Sequence, residues 1–151
     1  MVNRDKLWIT GGMAYLLSDI LTSTEFIQYV DGHGLSSLPG PNLPIALTKH
    51  QIVSFNSNFG YVSMVIGGEQ LSEMDASKLT YFFLHENQTW IEGPDLTQGR
   101  VNHAATVVTD PVTKEELVIV TGGQVDATSI TDEFLDTTEI LVDGKWVSGN
   151  L

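Results

Sequence analysis

The sequence predicts an all-β protein built from three consecutive units of four short strands, the first of them incomplete. The main observation is that three apolar, strand-like runs each end at a glycine pair: Gly11 and Gly12, Gly67 and Gly68, and Gly122 and Gly123. Successive pairs are 56 and 55 residues apart. The nearest approach to an amphipathic helix, residues 14–27, is rich in Ser, Thr and Asp and is better explained as a loop followed by a strand.

A proline and a histidine recur at nearly the same step. Pro41 and Pro94 lie 53 residues apart in the similar segments SLPGPNL and WIEGPDL. Nine residues after each proline comes a histidine, His50 or His103, and each histidine opens an apolar stretch. Because a catalytic residue seldom recurs once per repeat, we expect both histidines to have a structural role at the start of a strand.

The strands of each unit follow from these landmarks. The first unit, residues 1–49, begins almost directly with LWITGG and so lacks a counterpart of the strand that follows the histidine. The second unit, 50–102, contains HQIVSFN, YVSMVIGG, LTYFFLH and TWIEG, separated by turn-like or polar segments. The third unit, 103–151, contains HAATVVT, ELVIVTGG, TTEILV and KWVSG, and the Asp-Gly between the last two suits a tight hairpin turn.

Composition limits the classes of function. The chain has 151 residues, of which 42% are hydrophobic and 17% charged, as expected of a single globular domain. A formal net charge of −12 repels phosphate backbones, which argues against a nucleic-acid partner. No stretch approaches the roughly 20 apolar residues of a membrane span, so no membrane partner is expected.

The chain has no cysteine, which excludes disulfides and thiolate metal sites. Together with the lack of an apolar signal core before the first strand, this favours a cytoplasmic location. Secretion is the alternative if the N-terminus is truncated.

Four-stranded units of this length, each with a Gly-Gly, then an aromatic strand and then a tryptophan, resemble Kelch repeats. The second unit carries the whole pattern in Gly67, Gly68, Tyr81 and Trp90. The third unit has Trp146, with Ile140 or Leu141 near the tyrosine position, and the first has Phe26 but Ser37 where tryptophan is expected. The resemblance implies a Kelch-type β-propeller segment, in which the tryptophan and tyrosine fill the space between neighbouring blades.

Three blades are fewer than the four to eight of typical closed propellers. We therefore expect a segment of a longer propeller, with self-association of two chains to close a ring as the alternative. Some propellers of the galactose oxidase type bind copper through histidines and a cysteine-linked tyrosine. Without a cysteine this chain cannot form that cross-link, so the resemblance implies the propeller and not the chemistry.

No cofactor, metal or catalytic residue is expected. His33 and His85 lie in or beside predicted turns without the spaced partners of a metal site. The acidic segment 126–136 lacks the ordered spacing of a calcium loop. Asn87 begins the sequon Asn-Gln-Thr in a predicted hairpin turn and is a candidate glycosylation site if the protein is secreted.

The loops between the second and third strands of each unit, at 13–23, 69–77 and 124–135, are the long ones. They contain the candidate partner-binding residues Tyr15, Glu69, Glu73, Asp75, Asp126 and Asp132. This mixture of apolar and acidic side chains predicts a non-catalytic protein–protein interaction module with a basic partner. The alternative is a carbohydrate-binding or carbohydrate-active propeller, galactose oxidase-like or sialic-acid-processing, which aromatic residues and acid–amide clusters converging on the mouth of the central channel would favour.

Overall fold

The computed structural model describes residues 6–14, 19–70, 75–126 and 134–149, and all the regular secondary structure in them is β. The strands are β1 (Lys6–Thr10), β2 (Thr24–Val30), β3 (Gly34–Pro39), β4 (Gln51–Ser57), β5 (Gly60–Ile66), β6 (Thr80–Leu84), β7 (Thr89–Glu92), β8 (Ala104–Thr109), β9 (Glu116–Thr121), β10 (Thr138–Val142) and β11 (Lys145–Gly149). Within these ranges there is no helix that could cross a membrane.

The strands form three antiparallel sheets with the orders β1-β2-β3, β4-β5-β6-β7 and β8-β9-β10-β11. Each sheet is a meander of sequence neighbours, and the first has three strands where the others have four. The prediction of an all-β, partial β-propeller-like fold with an incomplete first unit is confirmed. We call β4 and β8 the leading strands, because each is the first strand of a four-stranded sheet.

The strand register shows which residues correspond between sheets. Tyr81 lies opposite the residue two places before its glycine pair, and Glu25 and Glu139 occupy that position in the first and third sheets. Phe26 therefore lies one residue after the tyrosine position, and Ile140 and Leu141, predicted to be near it, lie one and two residues after it. Ser37 lies opposite Ile27 as Trp90 lies opposite Phe83, so it stands where the tryptophan was expected.

The main hydrophobic core lies between the second and third sheets. Its buried members are Phe55, Val62, Met64, Ile66, Phe82, Leu96, Val118, Val120 and Trp146. A smaller cluster of Leu43, Leu47 and Val65 joins the segment after the first sheet to the second sheet. Apolar side chains on one face of each strand thus hold neighbouring sheets together.

The repeated tryptophan bonds to the repeated proline of the preceding unit. The indole Nε1 of Trp90 donates to the carbonyl of Pro41 at 3.3 Å, and that of Trp146 donates to the carbonyl of Pro94 at 2.9 Å. Each large ring therefore buries apolar surface between sheets while its one polar atom is satisfied.

In each four-stranded sheet, the second glycine of the pair leaves room for the histidine that precedes the leading strand of the same sheet. A Cβ added to Gly68 would lie 2.8 Å from the Cβ of His50, and one added to Gly123 would lie 2.8 Å from the Cβ of His103. Both glycines have positive φ, +101° and +94°, where side chains are disfavoured. The glycine is therefore required for both backbone and packing reasons.

The first glycine leaves room for the histidine of the following sheet. A Cβ on Gly11 would lie 2.9 Å from the Cε1 of His50, and one on Gly67 would lie 2.9 Å from the Cε1 of His103. Each histidine thus sits between the glycine pairs of two neighbouring sheets, at the start of its leading strand.

A buried ion pair also crosses from the second sheet to the third. Arg100 Nε donates to Glu139 Oε1 at 3.1 Å, and the two side chains are 1% and 0% exposed. Arg100 Nη1 also donates to the carbonyls of Gly122 and Thr137, at 2.8 and 3.0 Å. The Glu139 carboxylate accepts the backbone N–H of Thr97 at 2.7 Å, so both charges are extensively hydrogen-bonded.

The glycine contacts generate a prediction with a built-in control. Gly12 has φ +107° and no described residue within 4 Å of an added Cβ, whereas Gly68 has φ +101° and faces the Thr48 carbonyl at 2.7 Å and the His50 Cβ at 2.8 Å. Alanine is strained at both positions, because both have a positive φ. Only Gly68→Ala adds a collision, so we expect it to lower the free energy of unfolding by about 1–3 kcal/mol more. Urea denaturation of the two variants checks this, and equal losses would contradict the proposed packing role of the histidine.

Candidate functional site

A cleft of about 1200 Å³ lies between the first and second sheets. Its walls come from β1 and β2 on one side and from β4, β5 and β6 on the other, with the β6–β7 hairpin and Glu116 of β9 at the edges. On the second sheet the lining residues alternate along the strands, so one face of that sheet forms the floor.

The floor carries a chain of hydrogen bonds. The hydroxyls of Ser54 and Ser63 are 2.7 Å apart, and the Ser63 hydroxyl is 2.8 Å from Nε2 of His85. Burial lowers the pKa of the His85 imidazole, which favours its neutral form. The three residues come together only because β4, β5 and β6 pair side by side, since they are 9 and 22 residues apart in sequence. The spacing of these residues in the sequence does not predict their hydrogen bonds, because only the strand register brings them together.

Aromatic rings form the wall of the cleft. The Trp8 ring stacks on Phe26 at 5.3 Å and on Trp90 at 5.4 Å between centroids, and it packs against Phe83 at 4.5 Å. Trp8 was not among the residues that the repeat pattern singled out, because its counterpart Met64 in the second sheet is not aromatic.

Polar groups from the third sheet reach the edge of the cleft. The Glu116 carboxylate accepts from the backbone N–H of Asn56 and, at 3.1 Å, from its side-chain amide. This places a carboxylate and an amide beside the aromatic wall and the serine floor. The cleft therefore offers both apolar faces and hydrogen-bonding groups to an occupant.

The predicted partner-binding residues lie elsewhere, on the loops that follow the glycine pairs. Asp75 and Asp126 face each other in an isolated antiparallel β-bridge between the loops of the second and third sheets. The carboxylate of Glu69 lies 2.7 Å from the ammonium of Lys49, so this predicted partner-binding residue forms an ion pair within the chain. Tyr15, Glu73 and Asp132 lie outside the described residues.

The repeated histidines lie at the sheet junctions rather than in the cleft. His50 Nε2 is 2.9 Å from the hydroxyl of Thr10 in the first sheet, and burial lowers the pKa of its imidazole. His103 is 3% exposed. Burial lowers its pKa to about 4, assisted by the positive charge of Arg100. The structural role of both histidines stays a prediction.

Asn87 and His33 occupy exposed turns. Asn87 lies in the hairpin between β6 and β7, where its side-chain oxygen accepts from the Thr89 hydroxyl at 2.7 Å. His33 Nδ1 is 3.1 Å from the Asp31 carbonyl. Of the described residues, no group of three or more His, Cys, Asp or Glu side chains could hold a metal ion.

Comparisons with known proteins show the fold and not a family. No family model matches the chain, and no curated protein matches it. Among solved structures, it is similar to a fungal alcohol oxidase described as catalytically diverse among the AA5 family and bound to copper, with a TM-score of 0.66 and 14% identity. The match covers 86% of this chain but only 27% of that protein.

The environment of His103 predicts that the protein loses stability in mild acid. The folded-state pKa of about 4 lies below the ordinary 6.5, so the unfolded chain takes up the proton first as the pH falls. Neutral His103 therefore contributes about 3 kcal/mol to the free energy of unfolding. This contribution is fully present above about pH 6.5 and is lost as the pH falls through about 4.

Urea denaturation of wild type and His103→Gln at pH 7 and pH 4.5 measures this loss. We expect the stability of the variant to fall less between the two pH values, whereas exposed His33→Gln should behave like wild type. Parallel losses in wild type and His103→Gln would contradict the assignment to His103.

Proposed function

We propose that this chain is a non-catalytic, Kelch-type interaction module that binds a basic protein partner through its long loops. The observation that carries the proposal is the β-bridge between Asp75 and Asp126, reinforced by a hydrogen bond of 2.9 Å from the Ala76 N–H to the Val125 carbonyl. The bridge joins the segments that follow the glycine pairs of two sheets, and we call the surface around Asp75 and Asp126 the loop face.

The charge on this surface supports a basic partner. Asp75 is exposed on this surface, and an opposite charge pairs favourably with a carboxylate there. A lysine or arginine of a partner would therefore bind beside Asp75. The net charge of −12 would also steer a basic protein towards the chain and raise the association rate.

Binding of an oligolysine peptide tests the loop face. Asp75 is exposed and lies at the bridge, so Asp75→Asn should weaken binding several-fold at low ionic strength and less in high salt. Asp143→Asn is the matched control, because Asp143 is exposed in the β10–β11 turn at the opposite end of the strands. Titration calorimetry gives both affinities, and equal weakening would mean that net charge, rather than the loop face, determines binding.

A carbohydrate ligand is the second candidate, and the lining of the cleft favours it. The Trp8 and Tyr61 rings line the cleft, while Asn56 and Glu116 place an amide and a carboxylate at its edge. The similar fungal protein is an alcohol oxidase, and sugars are polyols. A glycan array should then give a specific hit that Tyr61→Ala abolishes. No hit, together with binding of the basic peptide, would favour the interaction module.

A further inference from the structure

The tripeptide Val-Asp-Gly occurs twice in the chain, each time at a hairpin turn. Asp31 and Gly32 follow β2, whereas Asp143 and Gly144 follow β10, and these residues are exposed. The carboxyl group of an aspartate is open to attack by the next backbone nitrogen when that residue is glycine, because glycine has no Cβ to obstruct the approach. The two turns therefore offer the same local chemistry in different backbone settings.

Exposure is a property of this turn in more than one sheet. The second sheet contacts the first through Trp8 and Trp90 and packs against the third in the main core. Its corresponding turn, between β6 and β7, is nevertheless exposed at residues 86–88. Water therefore reaches this end of the hairpin even in a sheet with neighbours on both sides.

The turn at Asp143 is the tighter of the two. Asp143 has φ +51° and Gly144 has φ +71°, the two positive values of a type I′ turn. Val142 and Lys145, on either side, are directly paired. Rotation of the peptide between Asp143 and Gly144 would disrupt that pairing, so the fold opposes ring closure here.

The turn at Asp31 is one residue longer. Residues 31–33 connect the paired Val30 and Gly34, and the N–H of His33 donates to the Val30 carbonyl at 3.0 Å. Gly32 and Gly34 both have φ +78°, and no described atom lies within 4 Å of a Cβ added to either. The backbone therefore has room to rotate until the Gly32 nitrogen reaches the Cγ carbon of Asp31.

A histidine contacts the same peptide group. His33 Nδ1 is 3.1 Å from the main-chain carbonyl oxygen of Asp31. Because a carbonyl oxygen only accepts hydrogen bonds, the Nδ1–H donates to it. A donor at this position stabilises the negative charge that develops on the oxygen when water attacks the carbonyl carbon. At the other turn the corresponding position is Lys145, which already belongs to β11.

We propose that Asp31 is a modification site at which spontaneous isomerisation produces isoaspartate. The Gly32 nitrogen attacks Cγ of the Asp31 carboxyl group, the proton of the nitrogen and the hydroxyl of the carboxyl leave as water, and a succinimide ring forms. Water then adds to the main-chain carbonyl carbon of residue 31, which His33 polarises. The bond from that carbon to the Gly32 nitrogen breaks, the nitrogen takes up a proton, and the chain continues through Cγ.

The product has one more methylene in its main chain and a free α-carboxylate on residue 31. This carboxylate is the methyl acceptor of an isoaspartyl methyltransferase that uses S-adenosylmethionine. A carboxylate oxygen takes the methyl group from the sulfonium, and the sulfur leaves as a thioether. The class of enzyme that acts on this turn is therefore a protein-repair methyltransferase, and the proposal is independent of the loop face and of the cleft.

Incubation of the full chain at neutral pH and physiological temperature compares the two turns. Electron-transfer fragmentation of proteolytic peptides distinguishes aspartate from isoaspartate at each position. We expect roughly ten-fold more isoaspartate at residue 31 than at residue 143 in the folded protein, and comparable amounts in guanidinium chloride, where both turns are lost. Equal amounts in the folded protein, or more at residue 143, would overturn the proposal.

Methyl transfer tests the site in the intact protein. A purified isoaspartyl methyltransferase should label aged wild type and aged Asp143→Glu to a similar extent. It should lose most of this labelling with aged Asp31→Glu, because glutamate would have to close a larger ring. Both variants keep the charge, and unchanged thermal unfolding shows that they keep the fold. Labelling of Asp31→Glu at the wild-type level would contradict the assignment to Asp31.

His33→Phe tests the contribution of the imidazole, because it keeps a planar ring and removes the N–H. Incubation in heavy-oxygen water labels each product that has passed through the succinimide, so the ratio of labelled isoaspartate to labelled aspartate reports how the ring opens. We expect this ratio at residue 31 to fall about two-fold or more in the folded variant and to stay unchanged in guanidinium chloride. An unchanged ratio in the folded variant would overturn the role given to His33.

Discussion

Contact between a histidine and two glycine pairs is the constraint on which the arrangement of the sheets depends. His103 has its Cβ against Gly123 of its own sheet and its ring against Gly67 of the preceding sheet, each 2.8–2.9 Å from where a Cβ would lie. No other residue tolerates both that contact and the positive φ of these positions. Once this spacing is set, the tryptophan of one unit reaches the proline carbonyl of the unit before it, and the leading strand packs on its neighbour.

The two junctions between neighbouring sheets have the same backbone geometry but are stabilised by different side chains. Arg100 and Leu47 are counterparts, because their carbonyls accept the N–H of the second glycine, Gly68 or Gly12, at 2.8 and 2.9 Å. Leu47 packs in an apolar cluster, whereas Arg100 forms a buried ion pair with Glu139. A buried pair adds little net stability unless its hydrogen bonds are satisfied, but losing one partner costs several kcal/mol. The repeat therefore conserves backbone geometry between units while its side chains vary.

The loop face and the cleft have distinct origins in the fold. The loop face forms where segments after the glycine pairs meet in the Asp75–Asp126 bridge. The cleft lies between the first and second sheets, with Ser54 and Ser63 of the second sheet on its floor. One surface therefore presents carboxylates, and the other is a cleft lined by aromatic rings and hydroxyl groups. A protein partner could use either surface without the other.

The sequence by itself determined the all-β class, the strand order and the incomplete first unit, because alternating apolar residues, glycine pairs and turn residues are local signals. Only the tertiary structure decided which residues meet. It placed Glu139 rather than Ile140 or Leu141 opposite Val120, and joined Ser54, Ser63 and His85 across three strands. It also placed Glu69, a predicted partner-binding residue, in an ion pair with Lys49. Register and packing between sheets depend on contacts distant in sequence, and a local pattern does not specify them.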